Sequence, residues 1–599
     1  MENEWFSPHD SKRRIGSLLE VSPTEAKINL TKAGTGEHTW ILGTRLPVGE
    51  VNEFVFIDCG QLTILARVVK VWLESGERLS VDGFDDSTPN NNPIGLVQLL
   101  VSIDVETGIN LKGIKQYPKL GAQVYAAHPK LVSMLAEGID GENTEYLQLP
   151  IAEMPHDSSV TIHITPEKLF ARHCAVLGST GGGKSFTMAN LIENAHKFGG
   201  KVLLLDATGE FSNLPCTSYY VGENPKANIS NKVTYPHWMF TDSDIRALLR
   251  PSAQSQAPKL DEAIRSLKVV TQYNQQPSHN LSITASYCLT KSGQAKASFK
   301  SAVQAISSTQ QSIPWKFTSL AEQIIEECVW PTGGTAAKPN VDIWGGRAEN
   351  DVGHCLNLIA RIKAMVANPN LKWFLDVDPS IQTIPDIIEK FCLSSEGRII
   401  RLDLSAIPFE ANAREILVNA IGRKLLSCAR EGDINYDKPL LVFIDEAHQF
   451  LNKKIGDETS SFALDSFGNI AKEGRKYGLN VVIATQRPRD VPEDVLSQIG
   501  TLIVHRLTNE KDQEVVKKAV GSIDQRSASF LPVLGQGEAL LLGVDFPFPM
   551  TVKIKTPQNK PESRSASFSS VWPMNAPKLQ KEYSAQPLII CNQRTAYVE

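Results

Sequence analysis

Hydrophobic positions along the chain change their period once the first hundred and thirty or so residues are past. From residue 13 to about 130, short apolar or alternating runs recur: RIGSLLEV, AKINL, EFVFIDCG, QLTILARVVKVWLE and GLVQLLVSIDV. Turn-rich pieces such as SGERLS and DDSTPNNNP separate them. Brief strands punctuated by glycine, asparagine and proline predict a small β-barrel or sandwich. From about residue 165, apolar runs of four to six residues alternate with helical segments, as expected of parallel strands buried on both faces. The strand candidates are HCAVLG, KVLLLD, RIIRLDL, PLLVFID, LNVVIATQ and GTLIVHRL. This alternation predicts a doubly wound α/β sheet with its ligand at the carboxyl ends of the strands.

The long stretch between KVLLLD and RIIRLDL exceeds what one crossover needs. DSDIRALLR, KLDEAIRSLKVV, QAKASFKSAVQAIS, SLAEQIIEECV and VGHCLNLIARIKAMV carry helical spacing, and Ser/Gln/Pro-rich joints such as PSAQSQAPK divide them; the pattern predicts a helical insertion. The predicted organisation is a β-domain over 1–150, a first core part over 151–235, helices over 236–370, a second core part over 371–556, and a tail over 557–599. The tail opens with PQNKPESRSASFSS, too polar to pack alone, and is expected to order only against a neighbour.

Composition changes this picture little. At 599 residues the chain is long enough for several cores, and 42% hydrophobic with 21% charged residues is ordinary for globular protein. A net charge of −5 means that any nucleic-acid contact must come from a local basic surface. Basic candidates lie in RSLKVV, in QAKASFK, or near Lys472, Arg475 and Lys476. The nine cysteines are scattered, with no C-x-x-C and no histidine pair beside them, which predicts reduced thiols in a cytoplasmic protein. The start, MENEWFSPHDSKRRIG, lacks an apolar signal core, and no run of about 18 apolar residues follows, so neither export nor membrane association is expected.

The chemistry concentrates in three places. GSTGGGKS, residues 178 to 185, satisfies G-x-x-x-x-G-K-[ST] between an apolar strand and a helix. Gly178, Ser179, Thr180, Gly181, Gly182 and Gly183 are expected to present backbone N–H groups to the phosphates of ATP. Lys184 would reach the terminal phosphates, Ser185 would ligate Mg2+, and Phe186 follows directly. PLLVFIDEAHQF closes a strand with two carboxylates: Asp445 would hold the magnesium through water, and Glu446 would deprotonate an attacking water. Gln486, closing LNVVIATQ, is placed to contact the γ-phosphate or that water. Asp206 and Glu210 in LLLDATGEF are candidates for the magnesium shell. A positive charge must still neutralise the transition state, and Arg172 and Arg475 are the candidates, from this subunit or from a neighbour.

These elements together, ARHCAVLGSTGGGKSFTMANLIE, LLLDATGEF, FIDEAHQF with EGRKYGLNVVIATQRP, and RIGSLLEVSPTEAKINL with GIKQYPKLGAQVY, resemble the HerA family of hexameric DNA-translocating ATPases related to FtsK. The resemblance implies a RecA-like P-loop NTPase core with an N-terminal small β-barrel (HAS-barrel) and a helical insertion. It also implies a homohexamer hydrolysing ATP at subunit interfaces, with the C-terminal tail bracing the adjacent protomer and double-stranded DNA in the ring. Archaeal members work with the nuclease NurA in end resection, and bacterial relatives of this length resemble the ATPase half of antiphage systems whose separate effector is a sirtuin-like NADase or a nuclease. No nuclease motif is recognisable in this chain, so any second activity is expected from a partner. The competing reading makes the ring an ATP-dependent assembly platform and regulator of that effector. A membrane-borne pump is disfavoured for want of a spanning segment, and an ABC-type ATPase for want of an LSGGQ-like stretch.

Overall fold

A computed structural model describes residues 7–30, 39–41, 44–46, 49–73, 93–111, 113–137, 147–275, 281–307, 312–335, 337–451, 453–456, 461–519 and 526–562. SGERLS, nearly all of DDSTPNNNP, and the tail beyond residue 562 lie outside these residues.

The expected β-domain is a closed barrel of six strands. Around the ring, Arg14–Val21 pairs with Glu25–Asn29, which pairs with Ile94–Asp104, then Leu62–Trp72, Phe54–Cys59 and Gln123–Ala126, which returns to Arg14–Val21. Every pairing is antiparallel. Inward residues at alternate positions, Ile15, Ile28, Val55, Ile57, Ile64, Val97 and Val124, form a core of their own. Closure leaves no free edge among these six strands.

All six predicted core strands form, and they lie in one sheet of thirteen. Its parallel portion runs, in spatial order, Thr501–His505, Cys174–Leu177, Leu479–Thr485, Leu440–Ile444, Lys201–Asp206, Ile399–Asp403, Thr217–Val221, Lys232–Thr234 and Gln382–Thr383. The strand Cys174–Leu177 shows why these runs carry no polar alternation. Ala175 and Leu177 enter one hydrophobic core, Cys174 and Val176 enter the other, and all four are buried. The helix Lys184–Lys197 closes onto the second core through Met188, Leu191 and Ile192. It ends as the glycine pair predicts, with Gly199 at φ 83° and the Gly200 N–H donating to Ala195 O at 2.7 Å.

One feature lay beyond the sequence reading, and the predicted run of helices forms. The strands Glu538–Leu542, Met550–Ile554, Leu149–Met154 and Asp157–Ile164 extend the sheet antiparallel past Thr501–His505. Pairing Ala152 with Ile554 joins segments about four hundred residues apart, which no local pattern encodes. Between Thr234 and Gln382 the chain forms the helices Asp242–Leu249, Gln256–Gln275, Lys296–Ser307, Leu320–Glu327 and Glu349–Ala367. Leu260, Ile264, Ile324, Leu358 and Ile362 on their apolar faces share a core with Ala175, Leu203 and Val442 of the sheet. Among the described residues no helix is long and apolar enough to cross a membrane.

Candidate nucleotide site

The sheet order settles which loops meet. The strand ending at Thr485 lies directly between the strand that leads into GSTGGGKS and the strand that ends before Asp445. Gln486 therefore emerges at the carboxyl edge with the glycine loop on one side and the acidic pair on the other. It bridges them: Thr180 Oγ1 donates to Gln486 Oε1 at 2.5 Å, and Gln486 Nε2 donates to Glu446 Oε1 at 2.5 Å.

The loop is built around glycine for steric reasons that the structure makes explicit. A Cβ on Gly178 would stand 2.6 Å from Cβ of His505, and one on Gly183 3.1 Å from the same imidazole. Gly181 and Gly183 have φ of 74° and 119°, where side chains are strained. The loop is tied down from outside, with Ser179 N–H and Oγ both donating to Arg506 O at 3.0 and 2.8 Å. Lys184 is buried and its Nζ donates to Ser179 O at 3.2 Å. Burial lowers its pKa, against the opposing influence of Glu446, Asp445 and Glu210. Ser185 and Phe186 follow, half-buried, in the first turn of the helix.

Sequence reasoning missed His505. It lies beneath the loop, fully buried, and its Nδ1–H donates to Glu538 O at 2.8 Å while Nε2 faces the Thr187 hydroxyl at 2.7 Å. Burial pushes its pKa down to about 4, so it is neutral and serves as a packing floor with two satisfied nitrogens. The available signal was an ionisable residue closing the otherwise apolar run GTLIVHRL.

Glu446 has φ 46° and ψ 45°, a left-handed conformation that costs a non-glycine residue about 1 kcal/mol or more and turns its side chain back toward Gln486. Burial pushes its pKa up, but the nearby His448, the hydrogen bond from Gln486 and the charge of Lys184 outweigh this, and the net shift is downward. His448 Nδ1 lies 3.3 Å from Glu446 Oε2 and 3.1 Å from Thr485 Oγ1. A carboxylate kept ionised and aimed by the Gln486 amide, with its other oxygen left without a hydrogen bond among the described residues, is suited to take a proton from water.

Asp445 accepts from Thr208 Oγ1 at 2.9 Å, and its backbone N–H donates to Leu205 O. Burial, with Asp206 and Glu446 nearby, pushes its pKa up to about 7. Negative charge packed this tightly without a cation is unfavourable. One such carboxylate plus the Ser185 hydroxyl, all oxygen donors, fits Mg2+, which keeps few protein ligands and completes its shell with phosphate and water. When bound, the ion would supply positive charge against the phosphates of the nucleotide. No cluster of three or more His, Cys, Asp or Glu suited to a metal occurs among the described residues.

Other candidates are placed differently. Asp206 is consumed structurally, which corrects its assignment to the magnesium shell: it accepts from Arg401 Nε at 2.7 Å and from the backbone N–H groups of Thr208, Gly209 and Phe211. Arg401 also pairs with Asp403, and all three are buried. Glu210 stays near Lys184 and Asp445, contributing to the shifts of both. Arg172 and Arg475 are exposed and precede the strands beginning at Cys174 and Leu479, at the sheet edge opposite the glycine loop. The structure does not bring either to its own site. Arg172 Nε lies 3.5 Å from Asp545. Of the basic candidates, Lys296 Nζ is held by Pro331 O and Val341 O, and Lys472 pairs with Asp494.

Two family descriptions match this chain, "Helicase HerA, central domain" over residues 149–425 and "Helicase HerA-like C-terminal" over 427–570. The DNA double-strand break repair helicase HerA of Pyrococcus furiosus is 25% identical over 525 residues, covering 86% of this chain and 85% of the relative. That of Sulfolobus acidocaldarius is 25% identical over 418 residues, covering 69% and 70%. Among solved structures, VirB4 of Thermoanaerobacter pseudethanolicus aligns with TM-score 0.42 at 14% identity, over 72% of this chain and 99% of VirB4. The plasmid coupling protein TrwB in complex with ADP and Mg2+ aligns with TM-score 0.39 at 12% identity, over 67% and 89%. The first matched region contains the glycine loop and the second contains Asp445, Glu446 and Gln486, and on both halves together the chain belongs to the HerA family and is an ATP-hydrolysing enzyme.

Proposed function

We propose that this protein is a ring-forming motor, a homohexamer that couples ATP hydrolysis to translocation on, or unwinding of, double-stranded DNA. The observation that carries the reading is the Gln486 bridge, which joins the phosphate loop at Thr180 to the base Glu446. A glutamine so held senses whether a γ-phosphate is present and can pass that state to the loops around it, as a motor requires and a passive nucleotide carrier does not.

In this reading Lys184 and the backbone of Gly178 to Gly183 hold the triphosphate, Ser185 and Asp445 hold Mg2+, and Glu446 activates water. Arg172 and Arg475 act on a neighbouring protomer's site, a role supported by their exposure at the edge away from their own loop. Among the described residues, those gathered at the carboxyl edge of the sheet serve nucleotide chemistry. The resemblance to the ATPase half of two-component antiphage systems supports a separate effector, a nuclease or a sirtuin-like NADase, in an antiphage setting.

The test is ATP turnover with and without linear duplex DNA, alongside mass measurement of the assembly. Stimulation by duplex DNA, its loss in Lys184→Ala and Glu446→Gln, and a six-subunit mass are expected. Turnover unchanged by Lys184→Ala, or a monomer in every nucleotide state, would overturn the proposal. Co-purification from the native host followed by mass spectrometry identifies the effector, and isolation of the ring alone counts against an obligate one.

A further inference from the structure

The glycine loop, Lys184 and Glu446 all address the triphosphate, and none of them addresses a base. Phe186, Asn190 and Glu193 form one stripe on the helix Lys184–Lys197, at spacings that place them on a common face. The segment after the strand Met550–Ile554 covers two of the three. Asn190 Nδ2 donates to Lys555 O at 3.0 Å, and the Glu193 carboxylate accepts from the backbone N–H groups of Gln558 and Asn559 at 2.9 and 2.6 Å. Phe186 heads the stripe. It directly follows Ser185, where the α-phosphate, and with it the ribose and base, leaves a loop of this type.

A tight turn, GQGE at 535 to 538, reaches the same end of the helix. The Gly537 N–H donates to Gly182 O at 3.3 Å, and Gly537 O accepts from the Ile554 N–H at 2.9 Å. A Cβ on Gly183 would meet Gly537 Cα at 3.4 Å. Gly537 takes φ 79°, and the Gly535 N–H donates to Glu538 Oε2 at 2.7 Å, so the turn is pinned on both sides of Gln536. Gln536 itself is exposed, and its side-chain amide has no partner among the described residues. A rigid turn fastened to the phosphate loop thus carries one free amide at its tip.

We propose that Gln536 and Phe186 form the base-recognising subsite, with Phe186 offering an aromatic face and Gln536 an amide whose donor and acceptor match the N6 and ring-nitrogen pair of adenine. Gln536 is the specificity-determining residue and takes no part in the chemistry. The inference rests on the ATPase reading above and adds the choice of base to it.

The experiment measures kcat/KM for ATP, GTP and CTP in the full-length protein and in Gln536→Ala, together with competitive inhibition by inorganic tripolyphosphate, which fills the cradle but has no base. The expected result is a preference for ATP over GTP that falls about tenfold in Gln536→Ala through a raised KM for ATP, with tripolyphosphate inhibition within about twofold of the parent. Phe186→Leu should raise KM for all three nucleotides alike and leave tripolyphosphate inhibition unchanged. An unaltered ATP-to-GTP ratio in Gln536→Ala, with ATP still hydrolysed, overturns the subsite alone. Equal weakening of every nucleotide and of tripolyphosphate overturns it as well, by assigning Gln536 to loop packing. Absence of turnover on any triphosphate in the parent protein would instead remove the function on which it stands.

Discussion

Gln486 offers the sharpest test of the site, because two changes of similar size act on it through different physics. In Gln486→Ala, the Glu446 carboxylate loses a hydrogen bond to a charged group, worth about 1.5–3 kcal/mol, which corresponds to a fall in kcat of about 10- to 150-fold. In Gln486→Glu, the shape is kept but a second carboxylate stands at the 2.5 Å contact with Glu446 Oε1. Two unit charges at that distance repel by about 6–7 kcal/mol at an effective dielectric near 20. The pair avoids this by sharing one proton, which occupies the base. Loss of a general base costs about 10²- to 10⁴-fold, so the near-isosteric change should harm turnover more than truncation does. The assay is kcat at saturating ATP, with affinity for a fluorescent non-hydrolysable analogue as control for the cradle. Gln486→Glu retaining turnover within about threefold of the parent would refute the proton-acceptor role of Glu446 and the bridge that aims it.

Three further outcomes are expected. His173 is locked as a neutral imidazole, with Nε2–H donating to Ala471 O at 3.0 Å and Nδ1 accepting from the Val481 N–H at 3.1 Å. Burial lowers its pKa from 6.5 to about 4, so the unfolded chain binds the extra proton between those values; about 3 kcal/mol of stability, full above pH 6.5, drains away as pH falls toward 4, and His173→Gln should flatten that part of the denaturant-midpoint profile. Arg401→Met leaves Asp206 and Asp403 buried without their cation and should cost about 3–5 kcal/mol by urea titration, whereas a loss below about 1 kcal/mol would dismiss the triad as a structural tie. If the exposed arginines act across a ring interface, inactive Lys184→Ala and inactive Arg172→Ala proteins, unfolded together and co-assembled, should regain up to about a quarter of parental turnover, and a mixture that stays inactive counts against Arg172 acting in trans.

What could be read from the sequence was what is contiguous. GSTGGGKS places its whole cradle within eight residues, and Asp445, Glu446 and Gln486 each announce themselves by closing an apolar run. The strands and helices of the core were legible for the same reason, since burial on both faces leaves a continuous apolar signature. Asp206 closes a run just as Asp445 does, and nothing local separates them. Arg401 separates them, on the next strand and almost two hundred residues away, where its guanidinium turns one of two similar aspartates into a structural anchor. The antiparallel wing, the place of His505 beneath the loop, and the GQGE turn at its rim were illegible for that reason too, although His505 itself closes an apolar run. Each depends on a partner brought close only by the sheet.

The sheet also separates the chemistry into two ends. The cradle, the base and the glutamine gather at the carboxyl edge, while Arg172 and Arg475 stand before the first residues of the strands that carry the loop and the glutamine. A parallel strand advances about 3.3 Å per residue, so strands of four and seven residues hold these arginines about 13–23 Å from the loops at the far ends. No rotamer of an arginine spans the longer distance, and the shorter path is filled by the buried strands themselves. Neither Arg172 nor Arg475 can therefore lend its own subunit's site the positive charge that phosphoryl transfer needs in its transition state. A second subunit with its arginine edge against the first subunit's carboxyl edge would supply that charge, and repetition of this head-to-tail contact closes a ring when the rotation per step divides a full turn. Hydrolysis would then report on the contact between neighbours, and the Gln486 bridge would be where that report enters the fold.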